Sequence, residues 1–157
     1  MILSLTFVLT RKILILTNGF TCGTFDLFHA GHIIFLSKCK ADCDKLTVGL
    51  HIDPSIERPL KNKPVQSVLE RFIQLADSKY VDHIIPYETE ADLEVIYNMY
   101  AMDRRFLGEE YIQSVNTGDY ICKSLGIQTV FIARPHSFSS TELRGRIYNT
   151  EKKRRKK

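Results

Sequence analysis

No two cysteines in this chain have the Cys-X-X-Cys spacing of a zinc or redox pair, and no apolar run is long enough to cross a bilayer. The four cysteines present, Cys22, Cys39, Cys43 and Cys122, read as small, partly buried apolar residues. Such usage suits a reducing cytosol, so a cytoplasmic location is expected. The apolar start Met1–Thr10 is interrupted by Arg11-Lys12 and has no basic residue ahead of it, which argues against a membrane helix and a secretory signal. Residues 1–11 read as an N-terminal extension of unassigned role. A basic face is missing too. Residues 151–157 hold six basic side chains and one acid, so of the net charge of +4 the rest of the chain carries −1. That argues against a specific nucleic-acid partner. The tail, 151–157, reads as a solvated and frayed terminus. Internal repeats and low-complexity segments are absent. With 157 residues, 44% hydrophobic and 25% charged, the chain fits one domain, placed over residues 12–150.

Apolar runs rich in Ile, Leu, Val and Phe alternate with segments of helical periodicity. Strands are expected over Lys12–Phe25 (irregular at Asn18-Gly19), Leu46–Ile52, Val81–Tyr87, Arg105–Leu107 and Thr129–Ala133. Helices are expected over Ala30–Cys43, from Ser67, over Thr89–Met102, over Asp119–Leu125 and from Ser139. Ser67-Val68-Leu69-Glu70 and Ser139-Ser140-Thr141-Glu142 have the form of capping boxes. Val68, Phe72, Leu75 and Ala76 form the apolar stripe of the second helix. Gly126 reads as the glycine that ends the fourth. Alternation throughout predicts an α/β fold: a Rossmann-like, doubly wound parallel sheet of about five strands with helices on both faces. Ligands of such sheets sit beyond the carboxyl ends of the strands. The loop Ser55–Gln66 is long for a simple connection, as functional loops often are.

The densest chemistry lies in Gly23-Thr24-Phe25-Asp26-Leu27-Phe28-His29-Ala30-Gly31-His32. Two histidines three apart on a helix share a face and can point at one ligand. Gly31 lets a bulky anion approach the backbone. The helix start adds unpaired N–H groups and the positive end of the dipole. Together these read as a phosphate grip.

Gly23–His32 resembles the first signature of the cytidylyltransferases within the HxGH nucleotidyltransferases, most closely glycerol-3-phosphate cytidylyltransferases. Two later stretches match that family in order. Lys61-Asn62-Lys63 leading to Glu70-Arg71 resembles its lysine loop and Glu-Arg helix. Arg134 with Ser139, Ser140 and Thr141 resembles its RTEGISTT signature, with Pro135, His136 and Ser137 replacing Thr-Glu-Gly. Gly108-Glu109-Glu110-Tyr111 stands where the family has Gly-Asp-Asp-Trp. The run Ser139-Ser140-Thr141-Glu142-Leu143-Arg144 also resembles the SSTxIR element of adenylyltransferases.

The resemblance implies attack by an acceptor phosphate oxygen on the α-phosphorus of CTP, with release of pyrophosphate. It implies catalytic roles for His29, His32 and Lys63. It places Thr24, Phe25, His29, His32, Lys61, Gly108, Arg134, Ser139, Ser140 and Thr141 around the nucleotide. Asp26, Asp53, Arg71 and Glu110 are further candidates. Asp26 is expected to fix its loop by accepting backbone N–H bonds, and Arg71 has the alternative of a structural ion pair. An imidazole beside a polyphosphate is expected to favour its protonated form. Mg²⁺ is implied as the triphosphate's counter-ion, held through phosphate oxygens and water, with no protein metal cage. Partners are therefore small molecules: the nucleotide and a phosphorylated acceptor, with glycerol 3-phosphate first. Phosphoethanolamine, phosphocholine and other polyol phosphates stay open, as does a homodimer. Two alternatives remain: an adenylyltransferase acting with ATP on a phosphorylated sugar or FMN-like acceptor, and a nucleotide-binding module without turnover.

Overall fold

Strand β2 (Lys45–His51) shows why this chain builds a parallel sheet. From Leu46 onward nearly every residue is buried, whichever way it points, so both faces of the sheet must be covered by helices. The computed structural model describes residues 16–156. In chain order they form β1 (Asn18–Gly23), α1 (Ala30–Ala41), β2, α2 (Val68–Ala76), β3 (His83–Tyr87) and α3 (Glu90–Met99), then β4 (Arg104–Gly108), α4 (Asp119–Ser124), β5 (Gln128–Ile132) and α5 (Ser140–Arg154). The sheet has the order β3-β2-β1-β4-β5 and every pairing is parallel. This is the Rossmann-like five-stranded architecture that the alternation predicts.

Two cores flank the sheet. On one side Leu36 and Cys39 of α1 and Leu75 of α2 pack on Leu46, Val48 and Leu50. On the other, Leu93, Ile96 and Tyr97 of α3 and Cys122 of α4 pack on Phe20 and Tyr87. The strand order reverses between β1 and β4, which neighbour each other although two strands separate them in sequence. Gly23 stands opposite Leu50, His51 opposite Tyr87, and Gly108 opposite Ile132. The segments that follow the strands therefore emerge along one edge, and the reversal opens a crevice there.

Several boundaries differ from expectation for identifiable reasons. Of the first expected strand, residues 12–15 lie outside the described residues, as does the extension 1–11. β1 starts at Asn18, so Asn18-Gly19 opens the strand instead of interrupting it. A Cβ on Gly19 would lie 2.6 Å from Cys43 Sγ and from the Phe106 ring, and the glycine permits that packing. β1 stops at Gly23 because Phe25 and Leu27 both have φ of +51°, which no strand accommodates. In α2, Leu75 and Val68 of the expected stripe face the core, whereas Phe72 and Ala76 are exposed and Arg71 is buried in their stead. Gly126 (φ +72°) does follow the end of α4. The tail is less frayed than expected. α5 continues through Arg154, with Lys152, Lys153 and Arg154 at the negative end of its dipole. Among the described residues no helix is long and apolar enough to cross a membrane.

Candidate active site

His29 is not inside α1 but caps it. Its backbone is extended, and its Nδ1 accepts the N–H of Gly31 at 3.1 Å. His32, in the first turn, returns the favour with its own Nδ1, accepting the His29 N–H at 3.4 Å. The two rings stack with centroids 3.9 Å apart and planes 19° from parallel. Phe25 and Phe28 contact the His32 ring at 5.2 and 5.5 Å between centroids. An acceptor nitrogen carries no hydrogen, so each neutral ring must hold its proton on Nε2. The pair is thus a double donor of fixed tautomer.

The electrostatics agree with that geometry. Burial, then the neighbouring His29 and Arg134, push His32 down to about 3. Burial and the nearby Arg134 and His136 also lower His29. Without a polyphosphate beside them, burial and the neighbouring Arg134 guanidinium favour neutral rings that act as N–H donors. Gly31 lines the cleft and also permits close packing of the chain. A Cβ there would lie 2.9 Å from the Phe138 carbonyl oxygen and 3.0 Å from His136 Cε1. The glycine thus admits the segment leading into α5.

The strained turn before the histidines is held from below. Two left-handed non-glycine residues cost about 1–2 kcal/mol each, and the bonds around Asp26 offset that cost. Asp26 is buried. Its Oδ1 accepts the N–H groups of Val65 (3.0 Å) and Gln66 (2.9 Å), and its Oδ2 pairs with Arg144 of α5. Burial works to raise its pKa, but these three donors prevail and hold it below the ordinary carboxylate value. The Asp26 carbonyl accepts the Ser140 hydroxyl at 2.8 Å, and the Leu27 N–H meets Gln66 Oε1 at 2.7 Å. One aspartate therefore ties the histidine turn to the loop before α2 and to the start of α5.

Arg71 acts beside it. Only 2% exposed, it donates to the carbonyls of Thr24, His51, Ile52 and Gln66 at 2.6–3.2 Å. Among the described residues it is in no ion pair, and carbonyl oxygens take the place of the carboxylate partner weighed from the sequence. Four of its five donors are spent on the ends of β1 and β2 and on the loop.

Above this framework opens a cleft of about 790 Å³. Its wall includes Thr24, Phe25, His29, Gly31 and His32 at the centre. Gly108, Glu110, Arg134, Ser139, Ser140 and Thr141 line the β4–β5 side, and Lys61 reaches it from the long loop. Asp26, Asp53, Lys63 and Arg71 are not part of the wall. Of the two loop lysines named from the sequence, Lys61 lines the cleft and Lys63 does not. The Lys63 carbonyl is drawn toward Arg144 and the next residues toward Asp26, which fixes that stretch beneath the turn. Asp53 closes a local turn by accepting the N–H and hydroxyl of Ser55.

Arg134 NH1 pairs with Glu110 at 2.6 Å, and NH2 donates to the Phe138 carbonyl at 3.2 Å. Glu109 accepts the Arg134 N–H at 2.7 Å. Gly108 leaves room for the folded-back Glu110 carboxylate, which would collide with a Cβ there. Ser139 caps α5 by accepting the Glu142 N–H at 3.1 Å. The reciprocal bond of a capping box is not formed there, whereas Ser67 and Glu70 make both at the start of α2.

Sequence reasoning missed the β2–β3 side of the wall, chiefly His51, Arg58, Tyr87, Glu90 and Thr117. The available signal was a histidine at the carboxyl end of an otherwise apolar strand. Among the described residues one trio, His51, Glu57 and Glu90, brings ligand atoms within 4.8 Å of one another. Glu90 is already engaged by Arg58 and by the Thr117 hydroxyl. The histidine-rich end is built from cations and N–H or O–H donors. That set fits Mg²⁺ carried in by phosphate oxygens.

The bifunctional protein HldE of Caulobacter sp. (strain K31) is 34% identical over 131 residues, which is 82% of this chain and 26% of that protein. HldE of Paramagnetospirillum magneticum is 36% identical over 125 residues, or 78% and 25% of the two chains. The chain thus spans about a quarter of the length of these curated relatives. A lipopolysaccharide core biosynthesis protein from Thermoplasma volcanium has the same fold, with a TM-score of 0.62 and 24% identity over 78% of this chain and 99% of that one. The cytidylyltransferase-like family model matches residues 20–146, from β1 into α5, and the chain belongs to that nucleotidyltransferase family.

Proposed function

We propose that the cleft binds a nucleoside triphosphate and transfers its nucleoside monophosphate to a phosphorylated alcohol, with CTP as donor. An acceptor phosphate oxygen forms a bond to the α-phosphorus, the bond from that phosphorus to the bridging oxygen breaks, and pyrophosphate leaves. The observation that carries this reading is the stacked His29–His32 pair, its tautomers fixed with Nε2–H outward, in one cleft with Arg134 and the start of α5. Both reactants are anions, so placed donors and cations matter more than a nucleophile or base. Arg134 exchanges Glu110 for phosphate oxygens, which a guanidinium can fork. Ser139, Ser140 and Thr141 supply hydroxyls and helix-start N–H groups to the departing pyrophosphate. Lys61 on its loop closes over the phosphates. Mg²⁺ bound to the triphosphate supplies charge neutralisation. The Ser139–Arg144 run favours a second reading, with ATP as donor.

Pyrophosphate release from CTP or ATP, with Mg²⁺ and a panel of phosphorylated acceptors, tests this directly. Release dependent on acceptor is expected. His29→Ala and His32→Ala should each lower turnover about 10²–10³-fold, the loss typical of one preorganised donor. Tight nucleotide binding without release from any acceptor would instead describe a binding module.

A further inference from the structure

Past its first turns, α5 leaves the domain. Ser140 and Arg144 tie its start to Asp26. Every described residue from Gly145 to Lys156 is exposed, and no residue of the helix is buried. A helix of this length is marginal in water unless one of its faces packs against something. The projecting half has no packed face, and charge is its main property. Lys152, Lys153, Arg154, Arg155 and Lys156 follow one another without a break. At about 100° per residue, five successive side chains point to all sides of the helix. Lys152 and Arg155 lie three apart, as do Lys153 and Lys156, and like charges at that spacing repel. The negative end of the helix dipole offsets part of this repulsion. Among the described residues, Arg154 alone of the five forms an ion pair, an exposed one with Glu151 at 3.2 Å. The other four cations are open to an outside anion.

The distribution of this charge selects the partner. A flat anionic membrane meets one side of a helix and favours an apolar stripe there. Beyond Gly145 the large apolar residues are Ile147 and Tyr148, neighbours that point about 100° apart and make no stripe. An acidic protein surface also meets one side only. The major groove of duplex DNA has phosphates along both walls and is about 12 Å wide, close to the diameter of a helix. A helix that is basic all round fits that channel. The corresponding groove of duplex RNA is too narrow to admit it.

We infer that the basic end of α5 docks in the major groove of double-stranded DNA through phosphate contacts of Lys152, Lys153, Arg154, Arg155 and Lys156. Such contacts carry affinity and no base sequence. Residues 1–150 have a net charge of −1, so the attraction is confined to this end of the molecule. Ser140 stands at the cleft, and Arg154 lies about 21 Å further along the helix axis. A bound duplex therefore leaves the cleft open, and the two functions are independent.

The test is fluorescence anisotropy of a labelled duplex of about 20 base pairs, titrated with the full chain from about 50 to 200 mM KCl. A Kd of roughly 10⁻⁶–10⁻⁴ M is expected near physiological salt, with a slope of log K against log[KCl] of about −4. Duplexes of unrelated sequence should bind alike, within about twofold. K152Q/K153Q/R154Q/R155Q/K156Q should weaken binding about tenfold or more and flatten the slope to about −1. K152R/K153R/K156R, which keeps the charge, should bind as the wild type does. All three proteins should share one urea midpoint, because none of the changed residues is buried. Three results would overturn the inference: no duplex binding at the lowest salt, undiminished binding by the glutamine variant, or tighter binding of another polyanion. The polyanions compared, at equal phosphate concentration, are duplex RNA, single-stranded DNA and vesicles of phosphatidylserine with phosphatidylcholine.

Discussion

His32 is a titratable side chain that its surroundings keep uncharged. Burial first, then His29 and Arg134, hold its pKa at about 3, against an ordinary value of 6.5. The sign of the consequence follows. Between those two values the unfolded chain binds a proton that the folded chain refuses, so stability present above pH 6.5 is lost as pH falls. His32 alone should cost about 2 kcal/mol by pH 5, from a slope of about 1.4 kcal/mol per pH unit. Urea denaturation at pH 7 and pH 5 checks this, with His32→Asn as the comparison. The wild type should lose about 2 kcal/mol more than the variant over that interval; an equal loss in both would contradict the assignment. At this scale the sequence was a better guide to which residues gather in one cleft than to how they are arranged. The histidine pair was legible from its spacing and neighbours. Its stacking, tautomers and neutral charge were not, because they depend on Nδ1 acceptors set by a cap and on burial by Phe25 and Phe28.

Between β2 and α2, the long loop and Arg71 form one structural unit. The loop reads as functional from its length, and Lys61 does reach the cleft from it. The family resemblance favours Lys63, with Lys61 as its neighbour, and could not show that Asp26 and Arg144 hold the backbone of that stretch beneath the turn. A buried arginine in a helical stripe is likewise invisible to periodicity, which assigns the inward face to Phe72. Arg71 earns that place through four carbonyls that would otherwise lack donors. Arg71→Met, similar in length and unable to donate, should destabilise the fold by about 2–4 kcal/mol. A drop in the urea midpoint reads this. A change under about 0.5 kcal/mol would mean that water or neighbouring groups replace the arginine without cost.

Across the whole molecule, topology does most to assemble the site. Alternating strands and helices, legible throughout the sequence, fix a parallel sheet whose strand order reverses between β1 and β4. That reversal brings the turn after β1 against Gly108 of β4 and the start of α5 after β5. Residues more than 100 positions apart, such as Asp26 and Ser140, become hydrogen-bonded neighbours. The β2–β3 wall escaped the sequence reading for a physical reason. His51, Glu90 and Thr117 belong to no contiguous run, and only folding places them on one surface.

The claim on which the account rests is that His29 and His32 present their Nε2–H groups, with the α5 start and Arg134, to a single triphosphate. Ring-nitrogen NMR of the ¹⁵N-histidine protein, titrated with Mg²⁺ and a non-hydrolysable triphosphate, measures this most directly. Both rings should begin as the neutral Nε2–H tautomer, and both Nε2 signals should move together along one saturation curve that Arg134→Ala weakens. Nucleotide binding that leaves both Nε2 signals in place would contradict it.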